Sequence, residues 1–345
     1  TLNADGVTDT YTLINSVLAP GYNVVETCDQ CGDHAAFGDH ITQNYDNDLN
    51  SNVFQFHSHI NEDTDRCIPS NTDRQRNEIK TYDKSPDNLL GVEGETVQYK
   101  WKFKLPSGFE GSPSFTHIHQ LKSVNDDYDN MPMYTFTVRS SSGGVFRVRY
   151  AEFGSQVDVA EVPLSSFLGV WVDVTETITY TNPGSYSLVI NKVSDGSNIL
   201  TYSNTNNNWR NVVTDPGVTI DDVFIRPKWG VYRKILDGDD NPLTELQDEI
   251  VLFADFSIEE NPTLSITTSD IENKSIGMFP NPSKGIVCFT TKDSNSYDYY
   301  YIYNSFGQKL TSKETQKTFD TSKLKNGTYH IVFYKNDLKL EPHKL

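Results

Sequence analysis

Along most of the chain, apolar and polar residues alternate in short runs with the period of two that marks a β-strand. Residues 97–105 (VQYKWKFKL) are the clearest case. Val97, Tyr99, Trp101 and Phe103 fall on one face, and Gln98, Lys100, Lys102 and Lys104 on the other, so one face suits a core and the other water. Residues 53–60 (VFQFHSHI) set Phe54 and Phe56 against Gln55, His57 and His59. Residues 74–81 (RQRNEIKT) place Arg76, Glu78 and Lys80 together. In residues 115–120 (FTHIHQ) the same alternation puts Phe115, His117 and His119 on one surface. Further strands are expected at 133–139, 145–152, 170–180, 185–193, 218–225 and 251–258, each bounded by Gly, Pro, Asn or Asp. No 3.6-residue period is sustained, and residues 1–50, broken by Pro20, Gly21, Gly32 and Gly38, accommodate only short strands. The pattern predicts an all-β domain over residues 1–258, a sandwich or jelly roll. Pro, Thr and Ser then mark a linker at 259–275. A second, small C-terminal β-sandwich occupies 276–345, with strands at 286–291, 297–304 and 328–335.

The length of 345 residues accommodates one large and one small domain. The net charge of −18 argues against a nucleic-acid partner, which demands a basic face. Its distribution is uneven. Residues 263–345 hold 11 Lys and 8 acidic residues, whereas residues 1–262 hold 18 basic and 39 acidic ones. Arg74, Arg76, Lys80, Arg226, Lys228, Arg233 and Lys234 fall within two short segments, and a basic strip inside an acidic shell suits an anionic substrate. No run approaches the roughly 18 apolar residues of a membrane span. The start at Thr1, with no apolar leader, reads as a processed form, and a monomer is expected.

The cysteines are Cys28, Cys31, Cys67 and Cys288. The Cys28/Cys31 pair has no second pair nearby, so no metal ligand set is assigned. In an exported protein, Cys67 is expected to bond either Cys28 or Cys31. Cys288, inside IVCF, reads as a buried strand residue. The acidic turns NDDYDN (Asn125 to Asn130) and DGDDN (Asp237 to Asn241) offer oxygen ligands for a structural Ca²⁺ but lack EF-hand spacing, and read first as solvated turns. No cofactor is expected for catalysis.

Three segments carry chemistry. RNEIK (Arg76 to Lys80), HIH (His117 to His119) and KWGVY (Lys228 to Tyr232) resemble, in order, the strand motifs of jelly-roll polysaccharide lyases of the alginate-lyase type, which read R-S/T-E-L-R, Q-I/V-H and Y-F-K-A-G-V/I-Y. The wording DRQRNEIKTY and FGDHITQ is closer to a jelly-roll group that includes ulvan lyases. The resemblance covers about residues 25–256 and implies β-elimination at a uronic acid. Such an enzyme neutralises the carboxylate, removes the C5 proton and protonates the leaving O4. By that likeness Arg76 and His117 serve the carboxylate, His119 is the base and Tyr232 the acid. A tyrosine, with an ordinary pKa of about 10, is a donor at neutral pH. Lys228, on the face of Tyr232, binds substrate charge or tunes that phenol, and Glu78 orients Arg76 or Lys80. His117 stands where Gln is usual and Arg226 where Tyr is usual. Both changes can add positive charge and suit a polymer bearing sulfate as well as carboxylate, such as ulvan. His57, His59, Trp209 and Arg210 are further candidates for sugar contacts, Trp209 by stacking and Arg210 on a sulfate.

At the C-terminus, FPNPSKG (Phe279 to Gly285), IYNSFGQKL (Ile302 to Leu310) and SKLKNGTYHI (Ser322 to Ile331) resemble the sorting domain of the type IX secretion system. The resemblance implies engagement of that machinery and a secreted or cell-surface protein. The expected activity is that of an endo-acting lyase of an anionic polysaccharide, ulvan preferred, with alginate or glucuronan as alternatives. A non-catalytic carbohydrate-binding jelly roll is the alternative of another class.

Overall fold

The alternating runs pair into two large sheets. The structure, a computed structural model, describes residues 1–243, 246–262, 276–280, 283–291, 297–304, 309–325, 327–335 and 338–344. It divides into two units, Thr1–Pro262 and Thr263–Leu345. In the first, the strands are β1 (Val25–Glu26), β2 (Ile41–Asp46), β3 (Ser51–Ser58), β4 (Arg74–Lys80), β5 (Thr96–Lys104), β6 (Thr116–Val124) and β7 (Tyr134–Arg139). They continue as β8 (Val145–Tyr150), β9 (Val157–Pro163), β10 (Trp171–Thr179), β11 (Gly184–Lys192), β12 (Asn198–Asn206), β13 (Phe224–Lys234) and β14 (Glu249–Glu260). One sheet has the order β1-β4-β13-β6-β7-β8-β9 and the other β12-β11-β10-β5-β14-β3-β2. The two form a nearly all-β, antiparallel sandwich of the jelly-roll kind.

The inward residues of β5 behave as their pattern predicts. Val97, Tyr99, Trp101 and Phe103 are buried, with Trp101 packed on Trp229 of β13 and Phe136 of β7. Burial of each such side chain stabilises the sandwich by roughly 1.5–3 kcal/mol. The outward lysines of β5 instead meet acids on the far surface, Lys102 with Asp255 and Lys104 with Asp48, both at 2.5 Å.

Two expectations for the first unit are corrected. Residues 1–50 contain a helix, α1 (Thr10–Leu18), started by the Asp9 carboxylate accepting from Thr12 N at 2.9 Å and held by burial of Ile14 and Leu18, one helical turn apart. Residues 218–225 are not one strand. Thr219 and Asp222 form a reciprocal capping box that closes a 3-10 turn at Ile220–Asp222, and β13 begins only at Phe224.

The second unit holds β15 (Ile276–Phe279), β16 (Ile286–Thr291), β17 (Tyr299–Asn304), β18 (Thr318–Asp320), β19 (Tyr329–Lys335) and β20 (Leu338–Lys344). They form the sheets β15-β16-β18 and β17-β19-β20, around Val287, Phe289, Tyr300, Ile302, Ile331 and Phe333. Cys288 lies on β16 but is half-buried, a correction to its expected burial. Of the stretch read as a linker, residues 259 and 260 end β14, and residues 263–275 lie outside the described residues. Among the described residues no helix is long and apolar enough to cross a membrane.

Candidate active site

The outer face of the first sheet carries the charged residues. Antiparallel register sets Arg76 of β4 opposite Tyr232 of β13, and Tyr232 opposite His117 of β6. Beyond them Thr137 of β7 and Arg147 of β8 continue the row. The Arg76 guanidinium lies 3.6 Å from the Tyr232 ring centroid, and the His117 ring is 6.0 Å from that ring. Phe115 stacks on His117 at 4.8 Å. Arg74 Nη1 donates to Tyr232 Oη at 2.9 Å while its other nitrogens grip Asp73. Three neighbouring strands thus bring arginine, phenol and imidazole to one place.

His119 is not with them. The expectation of a shared face for His117 and His119 is corrected by a bulge in β6. His117 pairs with Thr137 and His119 with the adjacent Phe136, so Ile118 is an extra residue and reverses the alternation. His119 therefore turns into the core, fully buried against Trp101 and Trp229. Its Nδ1 lies 2.9 Å from the Lys228 carbonyl and its Nε2 3.0 Å from Glu176 Oε2. Both nitrogens are engaged inside the sandwich, away from any polymer. Gly230, opposite the bulge, has φ +143°, and a Cβ there would sit 2.2 Å from the Asn77 carbonyl oxygen, so only glycine fits.

His117 Nδ1 contacts Thr137 Oγ1 at 2.8 Å. Burial pushes the imidazole down to about 3; Glu78 opposes the shift, and Arg149, Arg76 and Arg139 add to it. A neutral ring with Nδ1–H donating to Thr137 leaves the Nε2 lone pair as a base.

Beside this row, on the same face of β4 and β13, lies a buried ion network. Glu78 pairs with Arg76 and with Lys228, the latter at 3.0 Å, and accepts from Gln120 Nε2 at 2.5 Å. Arg76 Nε donates to Asp65 at 2.7 Å. Glu26 of β1 gathers Lys228, Lys80 at 2.6 Å and Arg66 at 2.7 Å. Burial alone would raise the Glu26 carboxyl, but Lys228, Arg76, Lys80 and Arg66 outweigh it and hold it well below the usual carboxylate range. Lys228 is buried among these carboxylates and does not touch Tyr232; the expectation that it tunes the phenol is corrected, since Arg74 occupies that position. Arg226 shares the face of Lys228, opposite Lys122, and its Nε has no partner among the described residues.

The remaining sugar-contact candidates lie elsewhere. Trp209 is in the core, only 3% exposed, so it offers no stacking face. Arg210 is fully buried and donates to the carbonyls of Ala151, Glu152, Tyr128 and Met131, a scaffold role in place of sulfate binding. His57 sits on β3 of the other sheet, 3.1 Å from Thr42 Oγ1. His59 lies just past β3 and converges with His34, His40 and Asp63. The disulfide joins Cys31 to Cys67, leaving Cys28 buried and free. In the acidic turns, the Asp237 carboxylate accepts from the backbone of Asp239 and Asn241, and that of Asp126 from Tyr128.

Several residues of the site were not singled out from sequence. Arg147 and Arg149 alternate with Phe146 and Val148 in FRVRY, a signal that would have placed them on the outer face. Glu26 and Asp65 had no such signal, because only the fold brings them to Arg76, and Arg74, legible as part of the basic strip, gave no sign of its bond to Tyr232.

A two-sheet β-sandwich with a charged outer face defines the class, and sequence comparison supplies the family. The chain belongs to the polysaccharide lyase family, whose model matches residues 5–255, and it is a polysaccharide lyase. Residues 277–344 match the secretion system C-terminal sorting domain, which directs the protein through the type IX system to the cell surface or beyond. No curated protein matches the chain. Among solved structures it is similar to an endo-β-1,4-glucuronan lyase from the fungus Trichoderma reesei, at 15% identity over 64% of this chain and 86% of that one, TM-score 0.42. It is similar also to the family 7 alginate lyase A1-II′, at 16% identity over 68% and 93%, TM-score 0.44. An alginate lyase from Corynebacterium sp. gives 12% identity over 63% and 80%, TM-score 0.38.

Proposed function

We propose that this polysaccharide lyase is endo-acting and cleaves a uronate polymer that also carries sulfate, of the ulvan type, with His117 as base and Tyr232 as acid. The observation that carries this reading is the row Arg76, Tyr232, His117 across three adjacent strands. His117 Nε2 takes the C5 proton; the C5–H electrons form the C4=C5 double bond, the C4–O4 bond breaks, and the Tyr232 hydroxyl protonates O4. The products are a 4,5-unsaturated uronate end and a new hydroxyl end. Arg74 and Arg76 supply fixed positive charge beside the phenol, where the substrate carboxylate gathers electron density during proton removal. Glu78 and Asp65 hold Arg76 in place, while Lys80 and Lys228 lie in the ion network beside it on the same face.

The preference for sulfate rests on charge. The network holds four cations, Arg66, Arg76, Lys80 and Lys228, against three carboxylates, Glu26, Asp65 and Glu78. Arg226 and Arg139 add guanidinium groups whose Nε atoms have no partner among the described residues. Such groups suit anions denser than one carboxylate per sugar. Release of unsaturated uronate from ulvan, alginate and glucuronan, read by ultraviolet absorbance, tests the preference; turnover of alginate alone would overturn it. Tyr232→Phe is expected to lose turnover by a factor of about 10² or more while still binding the polymer. A parent protein that binds but releases no unsaturated product would instead be a binding module.

A further inference from the structure

Away from the proposed catalytic row, three histidines and an aspartate meet at a single point. His34 and His40 come from the loop before β2, His59 from the end of β3, and Asp63 from the loop before β4. Asp63 Oδ1 lies 2.9 Å from His40 Nε2, 3.0 Å from His34 Nδ1 and 3.3 Å from His59 Nδ1, and His34 Nδ1 is 3.3 Å from His40 Nε2. All four donor atoms fall within 4.8 Å of one another. Four ligands at the zinc–nitrogen distance of about 2.0–2.1 Å form a tetrahedron with edges of roughly 3.3–3.4 Å. The spacing is therefore that of ligands around one ion.

Hydrogen bonding alone serves this cluster poorly. Asp63 Oδ1 faces three imidazole nitrogens, more than its two lone pairs can accept from. Its partner oxygen Oδ2 is already taken, by His59 N at 2.8 Å and Asn77 Nδ2 at 3.2 Å. The nitrogen of His40 that faces away from the cluster meets Asp29 Oδ1 at 2.5 Å, and Asp29 in turn accepts from the His40 backbone and Tyr11 Oη. A carboxylate behind a ligating imidazole is the outer support that metal-bound histidines use. His34 holds a left-handed backbone, φ 53°, of the kind kept where surrounding structure demands it. Phe37 covers the cluster, its ring 4.2 Å from His59 and 5.0 Å from His40.

We infer that His34, His40, His59 and Asp63 bind one Zn²⁺. Three imidazole nitrogens and one carboxylate oxygen in a tetrahedron suit zinc over calcium or magnesium, which prefer six or more oxygens. All four positions are filled by protein, so the ion is structural. Its purchase on the reaction centre is short. Thr64 O accepts from Arg76 N at 3.2 Å and Asp65 grips Arg76 Nε, so the metal anchors the loop that aims this arginine. The Cys31–Cys67 disulfide ties the same two loops.

The full-length protein, dialysed against metal-free buffer, should retain one zinc per chain by elemental analysis, and its melting temperature should fall by several degrees in EDTA and recover with Zn²⁺. Co²⁺ added to the stripped protein should give the intense visible bands of a tetrahedral site. His34→Ala should abolish both responses, and His57→Ala, which alters a neighbour outside the set, should abolish neither. If His34→Ala does not fold, the parent protein decides alone. Purified parent without zinc that takes up neither Zn²⁺ nor Co²⁺, or whose melting ignores EDTA, overturns the inference.

Discussion

His117 and His119 are two residues apart and have opposite fates: one lies beside Tyr232 on the outer face, the other between Trp101 and Glu176 in the core. Their residue types were legible as chemistry, but which of them faces substrate was not, because a single inserted residue decides it. His117 has its proton affinity lowered from an ordinary value near 6.5 to about 3. Below pH 6.5 the unfolded chain therefore takes up a proton that folded His117 refuses. Its contribution to stability is full above that value and is lost as pH falls toward 3. The base is likewise ready throughout the neutral range, so kcat/KM measured from pH 5 to 8 should show no acid limb that His117→Asn removes; such a limb would contradict the assignment. Arg210 was legible as a cation and misread as a ligand for sulfate. Its planar donors instead satisfy buried carbonyls, so Arg210→Ala should cost about 3 kcal/mol or more in denaturant unfolding, through unpaired acceptors. A variant as stable as the parent but weaker for polymer would return it to the binding surface.

At the scale of elements, alternation located most long strands well, since one buried face imposes a period of two on the sequence. The edge strands β9 and β12 were missed, and β2 was expected only as one of the unplaced short strands of residues 1–50: each is half-exposed, and water tolerates polar residues on both of its faces. The helix α1 was missed because it is only nine residues long, so the helical spacing of its apolar residues Tyr11, Leu13, Ile14, Val17 and Leu18 is not sustained beyond about two turns. The bulge in β6 lies beside the close approach of β13 to β4 at Gly230. Gly230→Ala combines a disfavoured φ with a clash against the β4 backbone. It should destabilise the first unit by roughly 2 kcal/mol or more and abolish turnover through displaced Tyr232, as denaturant melts and rates will report. Unchanged stability and rate would show that the register tolerates the extra atom.

For the molecule as a whole, the acidic balance of the first 262 residues encloses a face where cations outnumber carboxylates. The sequence showed that strip as two basic segments, and the fold joins them as neighbouring strands β4 and β13, except that Arg233 turns inward, fully buried, and donates to Gln75 and to the Ser58 and Gln247 carbonyls. The His34, His40, His59 and Asp63 cluster stayed hidden because it draws on three connections that only the fold brings together. Attraction of an anionic polymer to the basic face is screened by salt, so KM should rise with ionic strength more than kcat falls. The proposed catalysis depends on which histidine removes the proton. The initial rate of unsaturated-uronate formation from ulvan by His117→Ala and His119→Ala, each compared with the parent and each with its melting temperature, measures this most directly. His117→Ala should lose at least about a hundredfold in rate while remaining folded at the assay temperature, and His119→Ala should lose more stability than His117→Ala. A well-folded His119→Ala without activity, beside an active His117→Ala, would contradict the account.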